Sequence, residues 1–358
     1  MAGRTLAAMS GGVDSSVAAL LLTQSGHDVA GVMMKLFENE DVGRDVYSSC
    51  CSLADKGDAE RVAAQLDIPF YVFNYAQMFR ERVMDGFAHS YFRGETPNPC
   101  IECNRYLKFG ALFERAGELG CSAVATGHYA RIEKTGERYL LKRALDSTKD
   151  QSYVLYFMTQ AQLAKTLLPL GGLTKARVRE LAEEHGFVNA KKPDSQDLCF
   201  VPDGDYQAFL EQYASAEEGY GNFKDKRGNV LGRHGGIFRY TIGQRRGLGI
   251  SGRGRLYVTG LDPGTNTVTL GENTELFSTA FDVRDVNMIA AEALFGTQRL
   301  EVKIRYSHAA KPAAVMMTDE RSVRVEFLEA QRAVTPGQAA VFYDGDTVVG
   351  GGIICADR

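Results

Sequence analysis

Residues 10–16, Ser-Gly-Gly-Val-Asp-Ser-Ser, constrain the fold of this chain more than any other segment. A short apolar run at residues 4–9 precedes them, and apolar residues at helical spacing follow as far as Gly26. The pattern predicts a strand, a glycine turn and a helix. Glycine lets backbone amides come close to a ligand, and the amides at a helix amino end attract anions. We therefore predict a phosphate-binding loop at the start of an α/β domain.

Strand-like and helical patterns alternate after this loop. Strand candidates lie at residues 27–34, 70–73 and 122–126, and helical patterns lie at residues 53–66, 77–91 and 106–119. Such alternation favours a parallel sheet that helices cover on both faces. The prediction is a doubly wound α/β domain.

The composition changes near residue 215. Residues 216–280 are rich in glycine and basic residues and contain short β-like runs. Beyond them, six short alternating strands are predicted at residues 283–289, 300–306, 313–318, 323–328, 339–343 and 348–354. Turns between such strands suggest a small barrel or sandwich. We predict a catalytic domain at 1–215, a small β-rich domain at 216–280 and a C-terminal β-barrel at 281–358.

The net charge of −4 argues against a nucleic-acid partner, but the average conceals a local excess. Between Lys224 and Arg255 there are nine Lys or Arg residues and one acidic residue, Asp225. Salt screens charges beyond about 10 Å, so a phosphate backbone responds mainly to the nearby field. This basic segment predicts contact with nucleic acid, and a solvated basic face is the alternative.

The hydropathy pattern predicts a cytoplasmic protein with no membrane partner. No apolar run approaches the roughly 18 residues that cross a bilayer, and the amino terminus becomes polar too early for a signal peptide. The seven cysteines are odd in number, and the chain of 358 residues is far larger than a disulfide-stapled secreted scaffold.

Three cysteines stand in polar surroundings, namely Cys100, Cys103 and Cys199. Inert buried cysteine prefers apolar company, so these three are candidates for chemistry. Cys121 and Cys355 lie in apolar, strand-like stretches, and we predict that they are core residues.

The glycine loop lacks the lysine of a Walker A motif. It resembles instead the PP-loop of ATP pyrophosphatases, which split ATP into AMP and pyrophosphate and adenylate a carbonyl oxygen. By this resemblance Asp14 is a catalytic residue suited to hold Mg²⁺ between phosphates. The resemblance implies that ATP contacts Ala8, Met9, Ser10, Gly11, Gly12, Val13, Asp14, Ser15, Met34 on the adenine side, and Gly127.

Five further motifs follow the loop, and with it they resemble the tRNA-specific 2-thiouridylases over the whole chain. They are Thr-Pro-Asn-Pro-Cys-Ile-Glu-Cys-Asn at 96–104, Ala-Thr-Gly-His-Tyr at 125–129, Lys-Asp-Gln-Ser at 149–152, Asp-Ser-Gln-Asp-Leu-Cys-Phe at 194–200 and Tyr-Thr-Ile-Gly-Gln-Arg-Arg-Gly-Leu-Gly at 240–249. The family thiolates the wobble uridine of certain tRNAs. The resemblance implies ATP-dependent adenylation of uridine O2, followed by its replacement with sulfur to give 2-thiouridine, AMP and pyrophosphate.

The resemblance also implies how the sulfur arrives. A persulfide on Cys199, loaded by a sulfur-donor protein, would store sulfur in reactive form. Cys103 would attack it, release the sulfur and leave a Cys103–Cys199 disulfide for later reduction.

Contacts with tRNA follow from the same resemblance. The target base would lie beside Asn98, Pro99 and Cys100. Further tRNA contacts would come from His128, Lys149, Asp150, Gln151, Arg305, Tyr306 and Gln338. The anticodon loop suits such recognition because its unstacked bases can enter a pocket.

The sequence departs from the family at Cys100, where many members carry an aspartate that could act as a general acid or base. With Cys100, Cys103 and Cys199 together, three thiolates could instead hold a 4Fe–4S cluster with one iron open to sulfide. Both routes remain open at this stage.

Two other functions are alternatives. A PP-loop ligase or amidotransferase that adenylates a small substrate would explain residues 10–16, but neither Cys103, Cys199 nor the basic segment. A non-catalytic tRNA-binding protein would leave the PP-loop unexplained.

Overall fold

The computed structural model describes residues 3–37, 53–194, 198–201, 204–213, 219–250 and 254–356. Arg253 of the basic segment and residues 195–197 of the Cys199 motif lie outside these ranges. The helices and strands follow in chain order as β1 (Thr5–Ala8), α1 (Val13–Gln24), β2 (Val29–Lys35), α2 (Leu53–Gln65), β3 (Phe70–Asn74), α3 (Ala76–Phe79), α4 (Asp85–Phe92), α5 (Pro99–Glu102), α6 (Leu112–Glu118), β4 (Ala123–Ala125), β5 (Ala130–Thr135), β6 (Arg138–Arg143), α7 (Gln160–Ala164), β7 (Thr166–Leu167), α8 (Lys175–Glu184), α9 (Tyr206–Tyr213), β8 (Gly221–Lys224), β9 (Val230–His234), β10 (Tyr257–Asp262), β11 (Thr267–Gly271), β12 (Phe277–Met288), β13 (Gln298–Lys303), β14 (Lys311–Asp319), β15 (Ser322–Arg332), β16 (Ala339–Asp344) and β17 (Thr347–Ile354).

The chain divides into two compact units. The first unit contains Met1–Met84, Pro99–Gly204 and Asp346–Val348, and the second contains Asp85–Asn98, Asp205–Gly345 and Val349–Arg358. The division into three domains stays a prediction.

A parallel sheet forms the centre of the first unit, with the strand order β3-β2-β1-β4-β7. Strand β1 lies in the middle, pairing with β2 on one side and β4 on the other. Its successive side chains enter different apolar clusters: Ala7 packs with residues of α1, and Leu6 packs with residues of α6. Since a strand points alternate side chains to opposite faces, helices cover both faces. The predicted doubly wound α/β fold is confirmed.

The regular alternation of strand and helix ends after β4. Strands β5 and β6 form an antiparallel hairpin with Gly136 at φ +60 in its turn. The sequence analysis missed this hairpin. The two predicted helical segments before β4 are also interrupted, because Arg80–Met84 and Cys103–Ala111 wind as π-helix.

The second unit contains two β structures. A four-stranded sheet has the order β10-β11-β8-β9, and its apolar cluster includes the fully buried Phe223, Val258 and Val268. Strands β12, β15, β14, β13, β16 and β17 follow one another as neighbours, and β17 pairs again with β12. This second pairing closes a six-stranded barrel, which removes the exposed edges of the sheet. The predicted barrel is confirmed, and the sandwich is excluded.

Two sequence predictions about single residues were wrong. Cys121 and Cys355 are half-buried rather than fully enclosed in the core. Cys121 follows the α6 helix and packs only at the margin of an apolar cluster, and Cys355 lies just beyond the end of β17. The described part of the chain also contains no helix with the length and apolarity that a membrane span requires.

Candidate active site

The glycine loop connects β1 to α1 and is tied to itself by short hydrogen bonds. The Ser10 amide donates to Ser15 Oγ at 3.1 Å, and the Ser15 hydroxyl donates to the Gly12 carbonyl at 3.1 Å. The Ser16 hydroxyl donates to the same carbonyl at 3.0 Å. Helix α1 has no side-chain cap, and Gly12 occupies its N-cap position. The first amides of α1 therefore stand without a capping side chain at the end of the loop, as an anion-binding loop requires.

Two glycines are required by close approach. Gly11 has φ +77, and a Cβ atom there would collide with the Asp55 carbonyl. Gly127 follows β4, and a Cβ atom at that position would lie 2.8 Å from the Ser15 amide nitrogen. Neither Gly11 nor Gly127 can therefore carry a side chain, because each lies directly against the backbone of another segment.

Two residues that the sequence analysis missed support the loop from behind. The Asn189 amide donates to the Gly11 carbonyl and to Ser16 Oγ, each at 2.9 Å. Lys192 Nζ donates to the Gly11 carbonyl at 3.3 Å and pairs with the carboxylates of Asp55 and Asp58. Although partial burial opposes it, pairing with these two carboxylates raises the pKa of Lys192. The ammonium is therefore charged near neutral pH and fixes the loop to α2.

Asp14, in the first turn of α1, is held by two other residues. The Tyr129 hydroxyl donates to Asp14 Oδ1 at 2.7 Å, and Lys175 Nζ lies 2.8 Å from both carboxylate oxygens. Burial and the hydrogen bond to Asp14 raise the pKa of Tyr129, so its hydroxyl stays protonated as a donor. Tyr129 belongs to the 125–129 motif, but nothing in the sequence pointed to Lys175.

The same lysine connects Asp14 to Asp194, the first residue of the Cys199 motif. Lys175 Nζ lies 2.8 Å from Asp194 Oδ1, and Lys149 and Arg179 each contact Asp194 at 2.8 Å. Partial burial opposes ionisation, but the hydrogen bonds from Lys149 and Lys175 hold the pKa of Asp194 at about 2. The structure therefore brings the phosphate loop, Lys149 and the start of the Cys199 motif to one charged centre.

The remaining residues predicted for ATP lie on the adjoining strands. Ala8 ends β1, and the buried Met9 follows it, with its amide bonded to the Val32 carbonyl at 2.8 Å. Met34 lies near the end of the neighbouring strand β2 and is half-buried. Since ligands of open parallel sheets bind beyond the carboxyl ends of the strands, this edge suits a nucleotide.

The three candidate cysteines differ in exposure. Cys100 is exposed, Cys103 is buried and Cys199 is intermediate. Pro99 begins α5, a position where proline is favoured because its missing N–H would have no helical partner. Phe200, next to Cys199, is buried and meets Phe79 edge-on with the ring centroids 5.6 Å apart. This contact fixes the residue that follows Cys199 inside the first unit.

An iron–sulfur cluster would require the three candidate thiols to be directed at one group of iron atoms. Within the described ranges, which include all three, no group of three or more His, Cys, Asp or Glu side chains is placed to hold a metal ion. The three thiols therefore do not fit a cluster in this arrangement. A single carboxylate, that of Asp14, fits the lesser demand of Mg²⁺, which binds proteins through one or two carboxylates and takes its other ligands from substrate phosphates and water.

Several residues of the first unit that were predicted to contact tRNA make side-chain hydrogen bonds to the backbone of the same unit. Asp150 Oδ1 accepts from the amides of Ala144 and Ser152 at 3.1 Å, and Gln151 Oε1 accepts from the Tyr129 amide at 2.9 Å. His128 is buried, with Nδ1 2.7 Å from Thr126 Oγ1. Burial and the nearby Lys108 lower the pKa of His128 well below its usual value, so the ring is neutral.

The predicted contacts of the second unit lie on the barrel and on the loop that precedes Cys100. Arg305 donates to the Arg332 and Ala333 carbonyls, and Tyr306 exposes 45% of its surface beside the Lys303 ammonium. Gln338 Nε2 donates to the Thr96 carbonyl at 2.7 Å. Asn98 belongs to this unit and ends the same loop.

Some basic side chains of the segment from Lys224 to Arg255 form ion pairs within the protein. Arg239 pairs with Glu211 at 2.6 Å, and Lys226 pairs with Glu275 at 3.2 Å. Arg245 and Arg246 are exposed in the 240–249 motif. Two arginines of this motif thus present their charge to solvent.

Comparison with known proteins agrees with this arrangement. Family models match residues 3–203 (tRNA methyl transferase HUP domain), 207–272 (tRNA methyl transferase PRC-barrel domain) and 278–354 (aminomethyltransferase beta-barrel domain). Proteins named tRNA-specific 2-thiouridylase MnmA are similar throughout. The one from Clostridioides difficile is 49% identical, covering 98% of both chains, and the one from Desulforamulus reducens is 50% identical, covering 98% of this chain and 96% of its own. The chain belongs to the tRNA-specific 2-thiouridylase family.

Proposed function

We propose that this protein is a tRNA-uridine 2-sulfurtransferase that uses ATP to convert the wobble uridine of the anticodon loop to 2-thiouridine. One observation carries the proposal. Asp14 of the phosphate loop and Asp194 of the Cys199 motif are both bound by the ammonium of Lys175, at 2.8 Å. An enzyme that adenylates a base and then delivers sulfur to it needs its nucleotide loop and its sulfur-carrying motif in one place.

In the first step, ATP would bind with its phosphates on the loop at residues 10–15 and its adenine toward Met34, and Gly127 would be a further contact beside Ser15. Uridine O2 attacks the α-phosphorus, the bond to the β-phosphate breaks, and pyrophosphate leaves. Mg²⁺, held by Asp14, would supply charge neutralisation to the phosphates. The exchange turns O2, a poor leaving group, into an adenylate.

In the second step, the Cys103 thiolate attacks the sulfur of the Cys199 persulfide that is bonded to the Cys199 side chain. A Cys103–Cys199 disulfide forms and hydrosulfide leaves. Hydrosulfide then attacks C2 of the adenylated uridine, and AMP departs with O2. An external thiol reduces the disulfide, and a sulfur-donor protein restores the persulfide.

Binding of tRNA would involve both units. Asn98, Pro99 and Cys100 would surround the target base. Lys149, Asp150, Gln151 and His128 are proposed contacts from the first unit, and Arg305, Tyr306 and Gln338 are proposed contacts from the second. The cytoplasmic location expected from the sequence is part of the proposal, since tRNA is the substrate.

The experiment separates the two steps. In a single turnover, Cys103→Ser and Cys199→Ser should both form the tRNA adenylate and release pyrophosphate at close to the parental rate, and both should lose at least 100-fold in sulfur transfer and in the AMP release that accompanies it. Cys121→Ser is the matched control, because Cys121 is a half-buried thiol outside the two motifs. Sulfur transfer by Cys199→Ser at the parental rate would contradict the proposed chemistry. AMP release that does not depend on tRNA would favour the ligase or amidotransferase alternative.

A further inference from the structure

Lys175 is the first residue of α8, which is an unusual place for a cation. The preceding Thr174 caps the helix, its hydroxyl accepting the Arg177 amide at 3.3 Å, and the Lys175 amide donates to Asp146 Oδ2 at 3.0 Å. The amino end of a helix carries partial positive charge and favours acidic side chains. A lysine there opposes the helix dipole, so the contacts of its side chain must account for its position.

The ammonium of Lys175 has three hydrogens and three carboxylate oxygens around it. Asp14 Oδ1, Asp14 Oδ2 and Asp194 Oδ1 each lie 2.8 Å from Nζ, and the side chain is only 11% exposed. Three donors are all that an ammonium has. All three N–H donors of Lys175 are therefore used by Asp14, the carboxylate proposed to hold Mg²⁺, and by Asp194.

The surrounding charges determine which ligand can replace this pairing. Two carboxylates, Asp14 and Asp194, are contacted by three cations, Lys175, Lys149 and Arg179. Asp146, which accepts the Lys175 amide, adds a third carboxylate, so carboxylates and cations are equal in number here. A lone divalent cation would have to displace Lys175 from Asp14 without offering the ammonium another acceptor. A metal bound to a polyphosphate can replace this pairing, because the phosphates offer Lys175 new acceptors while the metal takes Asp14.

We propose that Lys175 is a further residue of the adenylation centre, which keeps bare divalent cations off Asp14 and moves to the polyphosphate when the metal–ATP complex binds. The inference rests on the proposed use of ATP but not on the identity of the group that is adenylated. A lysine suits this task better than an arginine, because its compact ammonium on a flexible stem can exchange one set of acceptors for another.

Binding of Mn²⁺ alone, measured by electron paramagnetic resonance, tests the proposal without any turnover. The full-length parent should bind Mn²⁺ at least tenfold more tightly with a non-hydrolysable ATP analogue than without it. Lys175→Met should bind Mn²⁺ alone at least tenfold more tightly than the parent, and Lys175→Arg, which keeps the charge, should resemble the parent. Lys191→Met is the control, because Lys191 is exposed and lies outside the described contacts of Asp14.

The second readout is the KM for ATP, which should rise at least tenfold in Lys175→Met while tRNA affinity stays unchanged. Tight Mn²⁺ binding by the parent in the absence of nucleotide would overturn the proposal, and this measurement holds even if Lys175→Met fails to fold. Parental Mn²⁺ affinity together with a parental KM in folded Lys175→Met would also overturn it. Failure of the proposed function would appear differently, as metal–ATP binding that follows these expectations without any sulfur transfer to tRNA.

Discussion

The role of Cys100 distinguishes the two routes of sulfur transfer, the persulfide route and the iron–sulfur cluster route. It is exposed, whereas Cys103, three residues later, is buried, so the two thiols face different surroundings in spite of their Cys-x-x-Cys spacing. A cluster needs three thiolates directed at one group of iron atoms. Cys100, Cys103 and Cys199 do not form such a group. The described arrangement therefore does not fit a cluster. In the persulfide route that we propose, Cys100 would only line the pocket for the base.

Substitution of Cys100 by aspartate tests this interpretation. Cys100→Asp restores the residue that many family members carry, and it should thiolate tRNA within about threefold of the parental rate without bound iron. Cys103→Asp, the matched variant at the buried thiol, should be inactive. Initial rates of 2-thiouridine formation, measured together with the iron content of protein purified without oxygen, decide the outcome. Simultaneous loss of iron and activity in Cys100→Asp would show that the cluster route is correct.

The ion pairs of the site show what the sequence could not predict at this scale. Asp14 was predicted because it lies inside a contiguous motif. Lys175 reaches Asp14 from 161 positions away, and Lys192 reaches Gly11 from 181 positions away. Neither lysine lies in a motif, and a lysine side chain is ordinarily solvated. Only the tertiary fold reveals that these two are drawn to carboxylates.

At the scale of single elements, the loop before Cys100 is fixed to a turn of the barrel within the second unit. The Thr96 amide donates to the Pro336 carbonyl at 2.8 Å, and Gln338 Nε2 donates to the Thr96 carbonyl at 2.7 Å. Glu95 pairs with Arg284 at 3.1 Å. Gln338 therefore has a structural role beside its proposed contact with tRNA, since it holds the backbone two residues before Asn98.

Gly337 is the residue of this turn that tolerates least change. It has φ +86, and a Cβ atom there would lie 2.9 Å from Glu95 Cβ and 3.0 Å from the Thr96 amide nitrogen. Gly337→Ala should cost about 2–3 kcal/mol, from backbone strain and the displaced loop together. Gly345→Ala is the control, because Gly345 has φ +57 but open space around its missing Cβ, and it should cost about 1 kcal/mol. Calorimetric unfolding compares the two, and equal losses would contradict the role given to the loop.

The success of prediction differed among the elements for a physical reason. Strand β1, helix α1 and the barrel strands each have an apolar pattern of their own, so local periodicity was sufficient. The β5–β6 hairpin carries charged residues on both strands, including Arg131, Glu133 and Lys142, and its alternation is weak. Closure of the barrel depends on the pairing of β12 with β17, for example Val283 opposite Ile354, which no local pattern encodes.

At the scale of the whole molecule, charge is unevenly distributed. The chain has a net charge of −4, yet the basic segment of the second unit presents Arg245 and Arg246 to solvent. Arg239 and Lys226 of the same segment are paired with acidic residues. The count of basic residues from sequence therefore overstates the charge available to a phosphate backbone. Arg227, Arg233 and Arg255 are exposed as well as Arg245 and Arg246, and the prediction is made for the last two.

The salt dependence of tRNA binding measures this contribution. Each of Arg245→Ala and Arg246→Ala should weaken binding and reduce the slope of log K against log salt concentration by about one, if each arginine neutralises one phosphate. Arg321→Ala is the control, because Arg321 is exposed but paired with Asp285 on the barrel. If both variants have the same slope as the parent, the two arginines do not contact phosphate and belong to a solvated basic face.

The most direct test of the account is the chemical identity and position of the modified nucleoside. The purified protein is incubated with ATP, a persulfide donor and an unmodified tRNA transcript, and the digested tRNA is analysed by mass spectrometry. The account predicts 2-thiouridine at the wobble position only, in an amount that matches the AMP released and that disappears when ATP is omitted. Sulfur at any other nucleotide, or thiolation that proceeds without ATP, would contradict it.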